Sequence, residues 1–147
     1  MQPIEYFKLQ AKNLFRDYKT QYAYLVDADG TSHYTYKPKY FDVDGIVLDY
    51  DLDEDNFSLM RAQHVIAQMV GFRKWTDLLK ASEAELELAK LLFDNQHKLS
   101  IEDWEDYLAI AEDHNNKAFN SEIRLEIFKA VFLNVEGHES SSPPYRL

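Results

Sequence analysis

The spacing of apolar residues after position 56 is the feature that most constrains the fold of this chain. Over residues 57–132, aliphatic and aromatic side chains recur every three or four positions, which is the period of a helix with one buried face. Capping and turn residues such as Ser82, Ser100 and Ser121 divide this stretch into successive helices. The C-terminal two-thirds of the chain is therefore predicted to be mainly helical.

The N-terminal third has a mixed pattern. Residues 3–20 carry apolar side chains at the helical period behind Pro3, which favours an N-terminal helix. Residues 22–36 alternate with period two around an Asp/Gly loop, which predicts an antiparallel hairpin, and residues 45–50 are a possible third strand. We therefore expect an α+β fold in which an N-terminal helix and a small antiparallel sheet precede the helical region.

The hairpin region is rich in tyrosine. Six of the ten tyrosines lie between positions 18 and 40. A sheet face of this composition suits a protein contact or the stacking of nucleic-acid bases, and it also suits packing beneath a helix.

Size and composition bear on domain organisation and location. A chain of 147 residues with 46% hydrophobic residues fits one domain with a packed core, expected over residues 1–134. Residues 135–147 contain three serines and two prolines and are expected to form a C-terminal tail. The chain contains no cysteine, which excludes disulfides and thiolate metal sites. Without a signal-peptide or membrane-spanning pattern, we expect a cytoplasmic, bacterial-type protein, and the sequence does not predict its oligomeric state.

Negative charge is concentrated in one short stretch, residues 42–55, called here the acidic segment. The chain has a net charge of -10, and the acidic segment holds seven carboxylates and no lysine or arginine. Such a charge repels a nucleic-acid backbone and favours a cation or a basic protein partner. The candidate interaction residues are Asp42, Asp44, Asp49, Asp51, Asp53, Glu54 and Asp55.

The start of the acidic segment resembles a catalytic motif. Residues 41–49 resemble the first motif of haloacid-dehalogenase-type phosphatases, which implies a magnesium-dependent enzyme with Asp42 as nucleophile and Asp44 as acid/base. In that family a buried apolar strand precedes the motif, whereas residues 36–40 here read Tyr-Lys-Pro-Lys-Tyr. A phosphatase therefore stays the less favoured alternative.

In the second half of the acidic segment, aspartates occupy alternate positions, as they do in the first half of an EF-hand loop. Counted from Asp49, the positions where that loop needs glycine and a bidentate glutamate hold Glu54 and Met60. We therefore expect no bound metal and no cofactor.

Residues 59–79 read as helix, glycine turn and helix, which makes a helix-turn-helix DNA-binding regulator the other alternative. Arg73 and Lys74 would open its second helix. However, Asp77 occupies a position where that motif needs a buried aliphatic residue. The overall negative charge also disfavours nucleic acid.

The same region resembles a short helical module of uncharacterised bacterial proteins, and a segment that precedes some glyoxalase-superfamily-like domains. The resemblance implies a packing unit without catalytic residues, and no function transfers with it. Its pattern is Ala-x3-Gly-Phe-x2-Trp-x2-Leu, carried by Ala67, Gly71, Phe72, Trp75 and Leu78.

These observations favour a non-catalytic protein-interaction module. The expected partner is a basic protein, and the expected role is that of an inhibitor or an antitoxin-like partner. The acidic segment is the expected site of contact.

Overall fold

The computed structural model describes residues 1–147, except for the side chain of Leu25. The fold is α+β, with one two-stranded antiparallel sheet and a mainly helical remainder. The elements are α1 (Pro3–Tyr18), β1 (Tyr22–Val26), β2 (Ser32–Thr35), α2 (Val43–Asp49), α3 (Leu59–Met69), α4 (Trp75–Leu79), α5 (Glu83–Asp94), α6 (Ile101–Asn115) and α7 (Ser121–Phe128), which continues as a π-helix over Lys129–Leu133.

The possible third strand at residues 45–50 is wrong, because this stretch forms helix α2. The Asp42 carboxylate accepts a hydrogen bond from the Gly45 amide and caps the helix. Strand alternation would place both Ile46 and Leu48 inside, yet Leu48 is 80% exposed while Ile46 is buried. The sheet therefore contains β1 and β2 alone among the described residues.

Helix boundaries follow local capping residues. Ser82 caps α5 as predicted and forms a capping box with Glu85, and Ser100 caps α6. Asn116 ends α6 in the left-handed conformation. Helix α3 begins at Leu59, because the Ser58 hydroxyl caps it by accepting a hydrogen bond from the Arg61 amide.

The first core cluster joins the N-terminal helix to the middle of the chain. Helix α1 packs against α3 and α5, and the cluster also receives residues from the segment that follows β2. Its largest fully buried members are Phe7, Leu14, Phe41, Ile46, Val65, Ile66, Leu78 and Phe93.

The second core cluster joins α5, α6 and α7. Helix α5 contributes to both clusters, since Ala89 and Phe93 lie in the first while Leu88 and Leu92 lie in the second. The two faces of α5 therefore connect the N-terminal and C-terminal parts of the fold. The remaining buried members of the second cluster are Leu99, Trp104, Leu108, Leu125, Phe128 and Phe132.

Residues 140–147, called here the C-terminal segment, contact the rest of the fold. Arg146 forms an isolated antiparallel bridge with Phe41, and the Leu147 amide donates to the Tyr40 carbonyl. The Tyr145 carbonyl in turn accepts from the Asp42 amide, N···O 2.8 Å. The last residues of the expected C-terminal tail are thus hydrogen-bonded to the backbone at the start of the acidic segment.

No helix in the described part of the chain is both long and apolar enough to cross a lipid bilayer.

Candidate interaction site

A buried carboxylate positions the chain that leads into the acidic segment. Asp17, in the last turn of α1, is only 2% exposed. It accepts hydrogen bonds from the backbone amides of Lys39, Tyr40 and Phe41, at N···O distances of 2.9, 2.7 and 2.8 Å. Three amide donors compensate the desolvation of this charge. The segment between β2 and α2 is thereby anchored to α1.

Tyrosine hydroxyls hold the second half of the acidic segment. Tyr36 donates to the Glu54 carboxylate, O···O 2.5 Å, and Tyr18 donates to the Glu54 backbone carbonyl at 2.6 Å. Tyr34 of β2 donates to Asp55. The loop after α2 is thus bound to the hairpin and to α1 rather than projecting freely from the fold.

The C-terminal segment holds the end of α2 in the same way. Tyr145 donates to the Asp49 carboxylate, O···O 2.6 Å, and its ring packs against Tyr50. Nothing in the local sequence around Tyr145 signals this contact, because its partner lies 96 residues away.

These contacts keep the tyrosines protonated. Burial, followed by hydrogen bonding to a carboxylate, raises the pKa of Tyr36 and of Tyr145. For half-buried Tyr34, the hydrogen bond to Asp55 is the main cause of a raised pKa. The three hydroxyls are therefore stable donors over the physiological range.

The remaining carboxylates divide into engaged and free groups. Asp42 caps α2, and Asp53 accepts from the Asp55 amide at 3.0 Å. Asp44 and Asp51 are exposed, and no hydrogen bond or ion pair involves either carboxylate within the described residues. Two of the seven acidic side chains are thus free to meet a partner.

An exposed apolar and aromatic surface lies beside one of the free carboxylates, that of Asp44. On β1, Tyr22, Tyr24 and Val26 are 50%, 61% and 60% exposed, and strand pairing skips Tyr24, which forms a β-bulge. A surface groove, called here the hairpin groove, brings Asp44 to this sheet. It is lined by Tyr22, Tyr24, Tyr34, Thr35 and Asp44. The tyrosine-rich sequence around the hairpin was the signal for this surface, although it did not identify which tyrosines are exposed.

The acidic segment does not gather its carboxylates around one point. Across the described residues, no group of three or more histidine, aspartate or glutamate side chains is placed to hold a metal ion. Tyrosine donors and backbone amides engage several of these carboxylates instead.

The phosphatase resemblance implies a geometry that differs from the one found. Asp42 lies at the N-cap of α2, and the preceding residue Phe41 pairs only through an isolated antiparallel bridge to Arg146. The nucleophile of that family instead follows a buried strand. The Asp42 carboxylate is here engaged by the Gly45 amide.

The Ala-Gly-Phe-Trp-Leu pattern folds as a packed corner between α3 and α4. Gly71 has a φ of +95°, as a left-handed helix end requires, and Trp75 and Leu78 are buried with Ala67. Phe72 is half-buried against the first core cluster. His64 accepts from the Trp75 amide through Nδ1 at 3.1 Å and so links the two helices.

The α3–α4 corner exposes little surface that could bind DNA. Helix α4 has five residues, and its Trp75 and Leu78 are turned into the core. Arg73 and Lys74 are exposed just before it, and Asp77 lies within it. The charged side chains of the corner therefore carry both signs.

Comparisons with protein-family models, curated proteins and solved structures gave no match for this chain.

Proposed function

We propose that this protein is a non-catalytic interaction module that binds a basic protein through the acidic segment and the hairpin groove. The observation that carries the proposal is that the free carboxylate of Asp44 lines the hairpin groove together with the exposed Tyr22 and Tyr24. Asp51, the second free carboxylate, lies further along the same acidic segment. Aromatic side chains are enriched in protein interfaces, and uncompensated carboxylates steer a positively charged partner to them.

The charge distribution favours a protein partner over nucleic acid. Exposed tyrosines can stack on bases, but seven carboxylates without a lysine or arginine lie in the adjoining acidic segment. A phosphate backbone approaching the groove would be repelled, whereas lysine or arginine side chains would be attracted.

The rigidity of the site supports a role in blocking a partner. Asp17 anchors the start of the acidic segment, and the Tyr36 and Tyr145 hydroxyls hold two of its carboxylates. A surface held in place before binding loses less conformational entropy when a complex forms. An inhibitor or antitoxin-like partner that covers a basic functional surface would use this property.

The proposal is tested by recovering the basic partner on the immobilised chain and then measuring its affinity for two charge variants. Asp44→Asn with Asp51→Asn removes the two free carboxylates without breaking an observed hydrogen bond. Asparagine also tolerates the positive φ of 50° at Asp51. We expect on the order of tenfold weaker binding, with the loss reduced at high salt.

Asp106→Asn with Glu139→Gln is the matched control, because it makes the same change in net charge at two exposed positions outside the site. We expect it to bind within about twofold of the unmodified chain. Equal weakening by the two pairs would mean that only net charge matters. A chain that retains no basic protein would contradict the proposal.

A further inference from the structure

The end of the C-terminal segment lies on the fold as an extended peptide would. Two backbone hydrogen bonds, with N···O distances of 2.8 and 3.0 Å, and one antiparallel bridge pair residues 145–147 with residues 40–42. The Tyr145 amide also donates to Gln96 Oε1 at 2.9 Å. Main-chain pairing of this kind is one of the ways in which proteins bind extended segments of other chains.

An acidic and aromatic site holds the Arg146 side chain. Its Nη1 donates to Asp94 Oδ1 at 3.3 Å, and its guanidinium lies 4.8 Å from the centre of the Phe93 ring. Tyr6 and Lys90 donate to the same carboxylate, at 2.5 and 2.9 Å. Because these two contacts do not depend on Arg146, they keep Asp94 in place when the arginine leaves. The acceptor for an arginine is therefore preformed.

A second site, for an aromatic side chain, lies beside the arginine site. Tyr145 donates to the Asp49 carboxylate at 2.6 Å, and its ring packs on Tyr50 with a centroid distance of 5.6 Å. Asp49 belongs to the acidic segment, which we propose to bind the basic partner. The two sites together fit an aromatic residue followed by arginine.

The C-terminal segment is held only at the surface. No residue from 134 to 147 is buried, and the Arg146 side chain is 38% exposed. Residues 134–137 are exposed and connect the segment to the last helix. Pro143 and Pro144 favour extended backbone immediately before the paired residues. A segment that buries so little of its own surface opens at a low free-energy cost, so another chain can take its place.

We propose that the surface formed by residues 40–42, Asp49, Tyr50, Phe93 and Asp94, called here the docking site, binds an extended segment of the basic partner in which an aromatic residue precedes an arginine. In the free chain, the C-terminal segment fills the docking site and competes with the partner. The proposal rests on the proposed function, since it takes the partner to be basic, and it adds the chemistry of the segment that the partner inserts. The two carboxylates of the docking site favour a cationic segment.

The test uses a fluorescently labelled peptide, Ser-Pro-Pro-Tyr-Arg-Leu, whose binding is followed by anisotropy. The receptor is the full chain with Tyr145→Ala and Arg146→Ala, in which the resident segment is weakened. We expect saturable binding to this variant. Binding to the unmodified chain should be on the order of tenfold weaker, because there the resident segment occupies the docking site at a high effective concentration.

Two changes test the arginine site. A peptide with glutamine in place of arginine should bind to the variant on the order of tenfold more weakly. Asp94→Asn, added to the variant, should weaken the arginine peptide to a similar extent and leave the glutamine peptide nearly unchanged. Asp106→Asn is the matched control at an exposed position outside the docking site, and it should stay within about twofold. Arg146→Ala alone keeps the Tyr145 contacts and replaces the double variant as receptor if the latter fails to fold.

The recovered basic partner should displace the labelled peptide from the variant. Three results would overturn the proposal: no saturable peptide binding to a folded variant, equal peptide affinity for the variant and the unmodified chain, or a bound partner that leaves the peptide in place. An unmodified chain that is dimeric by light scattering, and that the peptide converts to monomers, would assign the docking site to a second copy instead.

The failure of this proposal and that of the proposed function are distinguishable. A chain that retains no basic protein would remove the partner from both. Absent peptide binding, together with a recovered basic partner, would overturn the docking site alone.

Discussion

At the scale of single residues, Asp17 is expected to contribute strongly to stability. Its buried carboxylate accepts from the amides of residues 39–41. In Asp17→Asn, one side-chain acceptor is replaced by an NH2 donor that faces amide donors, so at least one backbone N–H loses its partner. We expect a loss of about 3 kcal/mol in the free energy of unfolding, measured by urea denaturation. Asp44→Asn, at an exposed and unpartnered position, should change it by less than about 0.5 kcal/mol.

Four tyrosines make a prediction about alkaline pH. Burial is the main cause of the raised pKa of each, and for all but Tyr50 a hydrogen bond to a carboxylate adds to it. They are Tyr6, Tyr36, Tyr50 and Tyr145. Because the pKa in the folded state lies above the unfolded value of about 10, their stabilising contribution is complete below pH 10 and is lost as the pH rises further.

The measurement is the free energy of unfolding in urea between pH 8 and 11.5. It should be nearly independent of tyrosine ionisation up to pH 10 and then fall by up to about 1.4 kcal/mol per pH unit for each such tyrosine. Tyr36→Phe and Tyr145→Phe should each make this decline less steep. If the free energy of unfolding of both variants declined as steeply as that of the unmodified chain, these hydroxyls would not control the decline.

At the scale of elements, the C-terminal segment stabilises the start of α2. The Asp42 amide donates to the Tyr145 carbonyl, and Tyr145 donates to Asp49. Deleting residues 145–147 removes both contacts and uncovers Phe41. We expect faster amide hydrogen exchange at Asp42 and along α2, while exchange in α6 stays unchanged. In Tyr145→Phe the Asp42 amide should stay protected, since the backbone contact remains. Unchanged exchange at Asp42 in the truncated chain would refute this role.

The elements also show what the sequence can predict. Helices α5 and α6 are capped by Ser82 and Ser100 as predicted, because caps and apolar periods are local signals. Helix α2 was missed because a stretch of seven residues is too short to distinguish the helical period from strand alternation. In addition, its cap Asp42 was interpreted as part of a catalytic motif. The contacts of Asp17 and Tyr145 link distant parts of the chain and leave no local pattern.

At the scale of the whole molecule, the stretch that carries the negative charge could be identified from the sequence. Which of its carboxylates are free to bind a partner could not. All seven carboxylates of the acidic segment were candidates for interaction. The structure shows tyrosines and backbone amides engaging several of them, which leaves Asp44 and Asp51 free. Of these two, Asp44 lies in the hairpin groove beside the exposed tyrosines of β1, and this groove is the candidate interaction site.

The most direct test of that surface is an amide hydrogen-exchange footprint of the chain bound to its recovered basic partner. The proposed function predicts protection over residues 22–35 and 42–55, with the exposed faces of α6 and α7 unchanged. The same footprint should shrink in the Asp44→Asn, Asp51→Asn chain at equal concentrations, since less complex forms. Protection centred on α6 or α7, with residues 22–35 and 42–55 exchanging as in the free chain, would contradict the account.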